Sequence, residues 1–417
     1  MKTTLVTDDV YRLSANISSE ILFEGIWPLP YGVSMNSYIV KGRECAIIDG
    51  VCGWDGVPET LYAQLDEMEM TPQDIRYVIL NHLEPDHTGW LESFKALSQD
   101  FTVYTSPKGI ELAKAFYGIE QEFQAVRSGD VLDLGNGKQL VFEEIPNVHW
   151  PETIATFEPA SGTLFPCDAF GSFGAVTDTP YDDQLSDENF QLYERETLRY
   201  YANIVAKFSA SVQKALLKVE KLDVNIIAPA HGIVWRKDPQ RIIELYRKYA
   251  NYAKGKAEPY VTVIWGSMYG NTQHAVEWVV KGLESEGIRT IVHQVPQAHV
   301  SEILASAWES TGIVLGMPTY EYNMFAPMAN VLDDLGRKRV VKKRAFRFGS
   351  YGWSGGAQKE LDEIMGRWKM NWDFLDPVEF RGLPRQEDLE KIFAQSARLA
   401  RDVKQEFQSL SADEVNT

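Results

Sequence analysis

The sequence predicts an α/β protein of two parts, a two-sheet sandwich with helices outside followed by a doubly wound parallel sheet. Three observations predict it. Up to about residue 250, short apolar runs alternate with polar turns and a few helical stretches. At residues 250–259 the pattern breaks into Ala-Asn-Tyr-Ala-Lys-Gly-Lys-Ala-Glu-Pro, a helix end and a linker. Beyond it, strand, helix and strand follow in succession, the order of a parallel sheet. The expected domains are therefore 1–254 and 255–417. With 417 residues and 44% hydrophobic side chains, the chain has material for both cores.

In the first part, strands are expected at 37–40, 45–48, 77–80, 101–105, 139–145, 153–157, 163–166 and 224–228. Several are continuous apolar runs, as in strands covered on both faces. Helices are expected at 58–68 and 108–117, with one long helix over 187–222. In the second part, Tyr260 to Trp265 is an apolar strand. Ala275, Val276, Val279, Val280 and Leu283 then recur at helical spacing until Gly287 stops the helix. Strands follow at 290–295, 313–315 and 346–348.

Composition excludes several classes. A net charge of -18 argues against nucleic acid or an anionic membrane as partner. No apolar run reaches membrane-spanning length, and the first residues lack the apolar core of a signal peptide. Cys45, Cys52 and Cys167 form no disulfide framework, so a reducing cytoplasm is expected.

The strand 77–80 runs into Asn-His82-Leu-Glu84-Pro-Asp86-His87, two imidazoles and two carboxylates within six positions. Such groups are not ordinary core. Alternate residues of an extended turn point the same way, so His82, Glu84 and Asp86 are expected to converge. His149, Asp168 and His231 each follow a later strand. These seven side chains are too many donors for one ion and suit two, with Asp168 between them. Three carboxylates beside imidazoles suit iron or manganese better than zinc. Solvated loop residues, or a zinc pair, are the competing readings.

The pattern His82-x-Glu84-x-Asp86-His87, then His149-Trp-Pro-Glu, Cys167-Asp168 and Ala230-His231-Gly, resembles the flavodiiron proteins over essentially the whole chain. That resemblance implies an αββα metallo-β-lactamase-like sandwich followed by a flavodoxin-like domain. It implies two iron ions, one held by His82, Glu84 and His149, the other by Asp86, His87 and His231, with Asp168 bridging. It also implies reduction of dioxygen to water or of nitric oxide to nitrous oxide, and a head-to-tail homodimer or a dimer of such dimers. Zinc hydrolases of the same superfamily typically carry His where this chain has Glu84. A hydrolase fused to a flavodoxin-like module is the alternative. The chain departs from the family at Leu22-Phe23-Glu24-Gly25, where many members have His in place of Glu24; a carboxylate there would alter proton supply to the irons. Tyr200 and Tyr201 are candidate hydroxyls beside the site.

Ser267-Met268-Tyr269-Gly270-Asn271-Thr272 lies between a strand and a helix, where backbone N–H groups accept a phosphate. It has no Gly-Lys-Ser/Thr and is similar to the loop with which flavodoxins hold FMN. Two later loops, Pro318-Thr319-Tyr320 with Asn323, and Ser350-Tyr351-Gly352-Trp353 with Gly355, are expected to complete the site at the strand ends. Tyr320 and Trp353 are expected beside the flavin ring. No cysteine pair follows Cys167, so the expected electron donor is separate: a rubredoxin-like carrier or reduced deazaflavin. The basic run Arg337 to Arg344 is a candidate docking patch for an acidic carrier.

Overall fold

The computed structural model describes residues 3–17, 20–51, 58–119, 123–175, 180–255 and 257–415, with side chains to residue 408. Cys52 and Lys256 lie outside the described residues. The chain divides into two compact units, Met1–Arg247 and Lys248–Thr417.

The first unit is a sandwich. One sheet runs Thr4–Thr7, Val10–Ile17, Val33–Lys41, Cys45–Ile48, Ile75–Ile79, Thr102–Thr105 and Phe123–Ala125. Its first four strands pair antiparallel and the rest parallel. The second sheet runs Val131–Gly135, Lys138–Glu144, Ile154–Glu158, Thr163–Phe165 and Ile226–Ile227. One buried cluster joins them: Val10, Val40, Ile48 and Ile79 from the first, Leu140, Phe142, Ile154 and Phe165 from the second. Alternating side chains give each strand one face for this cluster. Helices Glu59–Glu67 and Pro107–Tyr117 pack on the first sheet, the latter capped by Ser106, which accepts from the Gly109 N–H.

Two expectations need correction here. The single helix over 187–222 is instead Asp187–Tyr200, a π-turn Tyr201–Val205, a short 3-10 turn Ala206–Phe208 and a second helix Ser209–Val219. Nothing in Tyr-Ala-Asn-Ile-Val marks that break, because it holds no Pro or Gly and all five residues are buried. The stretch after Glu84 is likewise not extended: Pro85–Thr88 is a helical turn with Pro at its start.

Asn81 anchors the residue before that turn. Its side chain donates to Asp49 and to the Phe165 carbonyl and accepts from Thr156. Its carbonyl accepts from Ile154 N–H. Both sheets therefore hold the position preceding His82. Gly50, beside Asp49, is required by packing: a methyl there would stand 1.8 Å from Trp90 Nε1, and Trp90 donates to the His87 carbonyl at 3.0 Å. Gly50→Ala is expected to displace Trp90, lower stability by about 1–3 kcal/mol and reduce metal content. Thermal unfolding together with metal analysis checks this; unchanged values in both would show that the indole moves without disturbing the loop.

The second unit is a parallel sheet ordered Arg289–Gln294, Glu258–Trp265, Ser310–Gly316, Arg344–Tyr351, the last pairing with both Asp373–Phe374 and Val378–Arg381. This is the order of a flavodoxin-like sheet, with ligands expected past the strand ends. Val261, Val263, Val314 and Phe346 pack under helix Asn271–Ser285 and the helix from Gln386. No helix among the described residues is long and apolar enough to cross a membrane.

Within the basic run Arg337, Arg339 and Lys342 are exposed, whereas Lys343 and Arg344 are engaged inside the unit. Lys343 is buried and donates to the carbonyls of Trp308 and Ser310 at 2.9 and 2.6 Å. Arg344 pairs with Glu406 at 2.7 Å and with Asp373. The run enters the strand Arg344–Tyr351, whose far end carries the third candidate flavin loop, so more than about 20 Å of strand separates them.

Candidate metal centre and flavin cavity

Seven side chains from four stretches of the first unit meet at one edge of the sandwich. The donor atoms fall into two sets: His82, Glu84, His149 and Asp168 in one, Asp86, His87 and His231 in the other. Asp168 faces both. Its Oδ1 lies 2.9 Å from His231 Nε2 and 3.2 Å from His87 Nε2. Its Oδ2 lies 3.4 Å from His82 Nε2 and 3.5 Å from His149 Nε2. Glu84 is 3.0 Å from His149 and 3.2 Å from His82, and Asp86 is 3.4 Å from both His231 and His87. An ion holding donors at about 2.1 Å and right angles places neighbouring donors about 3 Å apart. All four imidazoles offer Nε2, and every one is buried.

Asp86 does not join His82 and Glu84. The helical turn at Pro85 rotates it onto the other set, so the extended-turn expectation fails for that residue while all seven donors still converge. Both oxygens of Asp86 and Oδ2 of Asp168 are buried without a hydrogen-bond partner among the described residues. Buried carboxylates in that state call for cations, so the donors fit a pair of metal ions.

The electrostatics agree. Burial drives His82 toward neutrality, but its hydrogen bonds to Glu152 and Glu84 outweigh burial and raise its pKa to about 10. Burial acts likewise on His87, His149 and His231, yet the facing carboxylates raise each to about 9. Asp168 is opposed by burial but held well below the usual carboxylate range by the imidazoles around it. The facing carboxylates thus favour positive charge at these imidazoles.

Tyr200 donates to Asp168 Oδ1 at 2.8 Å. Burial and the Asp168 charge keep its hydroxyl protonated far above the ordinary tyrosine value. Tyr201 lies 2.9 Å from the Ser209 hydroxyl and packs on Tyr246. Glu24 is exposed and accepts from Trp27 Nε1 at 2.8 Å. The neighbour that reaches the donors is Phe23, whose ring lies 5.3 Å from His231 and 5.5 Å from Phe173. Sequence reasoning missed Phe23. It also passed over Glu152, although the motif His149-Trp-Pro-Glu contains it; Glu152 meets His82 Nδ1 at 2.7 Å.

In the second unit, the three loops expected to hold FMN enclose a cavity of ≈ 420 Å³. Ser267, Met268, Tyr269, Asn271, Pro318, Thr319, Tyr320, Ser350, Tyr351, Gly352 and Trp353 line it, and Gly270, Thr272, Asn323 and Gly355 do not. Gly270 instead has φ 88° and starts helix Asn271–Ser285, and Thr272 lies 3.3 Å from Ser350. Glu321, Tyr322, Ser354 and Gly382 are additional lining that the sequence did not single out. Tyr269 and Trp353 are 90% and 77% exposed at the rim. Aromatic rings standing free around a hollow at a helix N-terminus fit a planar cofactor that carries a phosphate.

A metallo-β-lactamase-like sandwich with a seven-donor, two-ion cage, joined in one chain to a flavodoxin-like sheet, defines a diiron flavoprotein. Residues 33–232 match the ODP family beta lactamase description, and residues 263–395 match flavodoxin. The chain is 30% identical over 399 residues to a nitric oxide reductase of Moorella thermoacetica, covering 95% of this chain and 97% of that one. It is 34% identical to an anaerobic nitric oxide reductase flavorubredoxin of Vibrio vulnificus over 81% of this chain and 66% of that protein. A mutant of the flavo di-iron protein of Thermotoga maritima superposes with a TM-score of 0.86 at 27% identity, over 96% of this chain and 98% of that one. The chain belongs to the flavodiiron protein family. Its flavodoxin-like domain implies FMN, and its His, Glu and Asp clusters fit a diiron centre.

Proposed function

We propose that this protein reduces nitric oxide to nitrous oxide, dioxygen to water, or both. The observation that carries the reading is Asp168, one oxygen toward each donor set, in a chain that also holds a flavin cavity. His82, Glu84 and His149 would hold one iron, Asp86, His87 and His231 the other, with Asp168 shared. When bound, FMN supplies electrons singly and the iron pair binds and reduces the diatomic.

The chain's own residues prepare that chemistry. Phe23 and Phe173 on one side and Trp150 on the other, its ring 5.0 Å from that of His82, wall the donors with apolar surface that excludes water. Tyr200 Oη donates to Asp168 Oδ1, the oxygen that faces His87 and His231, and so orients the carboxylate between the two sets. Tyr200→Phe is expected to keep both irons and lower turnover by about tenfold. Iron analysis with anaerobic nitric oxide consumption measures this, and undiminished turnover would show that this hydrogen bond does not serve the reaction.

The donor is proposed to be a rubredoxin-like carrier or reduced deazaflavin, in a cytoplasmic setting consistent with so few cysteines. The active form is proposed to be a head-to-tail homodimer, alone or paired into a dimer of dimers, as the resemblance to the flavodiiron proteins implies. The exposed Tyr269 and Trp353 rims support a face that is covered in the assembly. The deciding experiment is anaerobic reoxidation of the reduced protein with nitric oxide and dioxygen in parallel, with iron and FMN quantified. A protein carrying zinc and inert toward both gases would overturn the reading.

A further inference from the structure

The four imidazoles of the cage are not supported alike. His82 Nδ1 lies 2.7 Å from Glu152 Oε1, and both side chains are fully buried. The same oxygen accepts the Leu83 N–H at 3.1 Å, tying the carboxylate to the backbone that carries His82. The other oxygen of Glu152 is buried without a hydrogen-bond partner, and among the described residues the carboxylate's one ion-pair partner is His82, through Oε1. Nδ1 of His87 and Nδ1 of His231 are also buried, and neither has a hydrogen-bond partner among the described residues. His82 belongs to the set with Glu84 and His149, whereas His87 and His231 share the set with Asp86. One side of the cage is thus backed by a buried anion, and on the other side the imidazoles stand without one.

We propose that Glu152 is a positioning residue that fixes the His82 tautomer and makes the two iron sites electronically unequal. Accepting the Nδ1 proton leaves the Nε2 lone pair aimed into the cage. Donation to a carboxylate also makes the imidazole a more basic ligand. Iron held by His82, Glu84 and His149 would therefore have the lower potential, and iron held by Asp86, His87 and His231 the higher, so the two sites would be electronically unequal rather than equivalent. This inference rests on the diiron reading above.

The test uses the full chain loaded with iron and FMN. Unaltered protein, Glu152→Gln and Glu152→Ala are titrated anaerobically with dithionite while the EPR signal of the ferrous–ferric pair and the iron content are followed. The glutamine amide oxygen still accepts the Nδ1 proton but carries no charge. Glu152→Gln is expected to retain both irons and lose most of the ferrous–ferric signal, because the two reduction steps move together. Glu152→Ala is expected to bind one of its two irons about 10–100-fold more weakly, so that its content falls toward one per chain. A ferrous–ferric signal in Glu152→Gln equal to that of the unaltered protein overturns the inference, as does equal loss of both irons in Glu152→Ala. If Glu152→Ala does not fold, Glu152→Gln decides alone. An unaltered chain that binds zinc in place of iron overturns the diiron reading with it, whereas a normal diiron parent with an unmoved Glu152→Gln overturns this inference only.

Discussion

Asp168→Ala is expected to empty the cage and drop turnover of either gas by more than about a hundredfold. The expectation follows from position: each Asp168 oxygen serves a different donor set, so one truncation removes a ligand from both ions. Removing one partner of a buried charge network costs about 3–5 kcal/mol, which by itself is a factor of more than about a hundred in iron affinity. Tyr200 would lose its acceptor in the same change. FMN binding should be unaffected, because the flavin cavity is built by Ser267 to Gly382 in the second unit. Iron analysis and visible flavin absorbance on one sample separate the two effects. Retention of both irons would show that Asp168 does not bridge.

Iron uptake by the metal-free protein is expected to release about three to four protons per chain near neutral pH. The sign follows from the direction of the shifts. His82 is raised to about 10, and His87, His149 and His231 to about 9, above the ordinary 6.5. Each is protonated at pH 7 without metal and must lose its proton to offer Nε2. Apparent iron affinity therefore climbs as pH rises and levels off above about pH 10. Folding of the metal-free protein runs the other way. A histidine whose folded pKa is raised contributes stability that is complete below about pH 6.5 and disappears as pH passes through about 9 to 10. The depressed carboxyls of Glu84 and Asp168 contribute stability above the ordinary carboxylate range and lose it as pH falls. Metal-free protein should thus melt at lower temperature at pH 9.5 than at pH 7, with a much smaller loss in the iron-loaded form. Proton release in a pH-stat and paired calorimetric scans measure both, and pH-independent uptake between about pH 6 and 9 would contradict them.

The cage was legible in the sequence because its residues are rare and chemically conspicuous. His82, His87, His149 and His231 all stand just past apolar strands, the first two among carboxylates, a placement that solvated loops have no reason to repeat. What stayed hidden was direction. Asp86 points to the second donor set because Pro85 opens a helical turn, and a one-turn helix has too few residues to show a period. The strand Val10–Ile17 was missed for another reason. It buries Arg12 and Ser14 among its apolar residues, so its composition conceals a strand lying deep in the sheet. Arg12 Nε donates to Asn36 Oδ1 at 2.7 Å, a partner 24 positions away that no local pattern can supply. Of the two adjacent tyrosines only Tyr200 meets the cage; a π-turn begins at Tyr201, and neither residue type nor spacing announces it. Glu152 was visible as a letter in a motif, but its partner His82 lies 70 positions earlier.

The place of His231 has a consequence for how the protein is made. It bridges to Met35 in the first sheet, and the carbonyls of Pro229 and Gly232 on either side of it accept from Asn36. One of the seven ligands thus belongs to a stretch made late in its unit, and it docks on a strand made near the beginning. A nascent chain ending anywhere before that loop carries at most six of the ligands and no closed cage. A complete cage then requires the chain to have been made at least through His231.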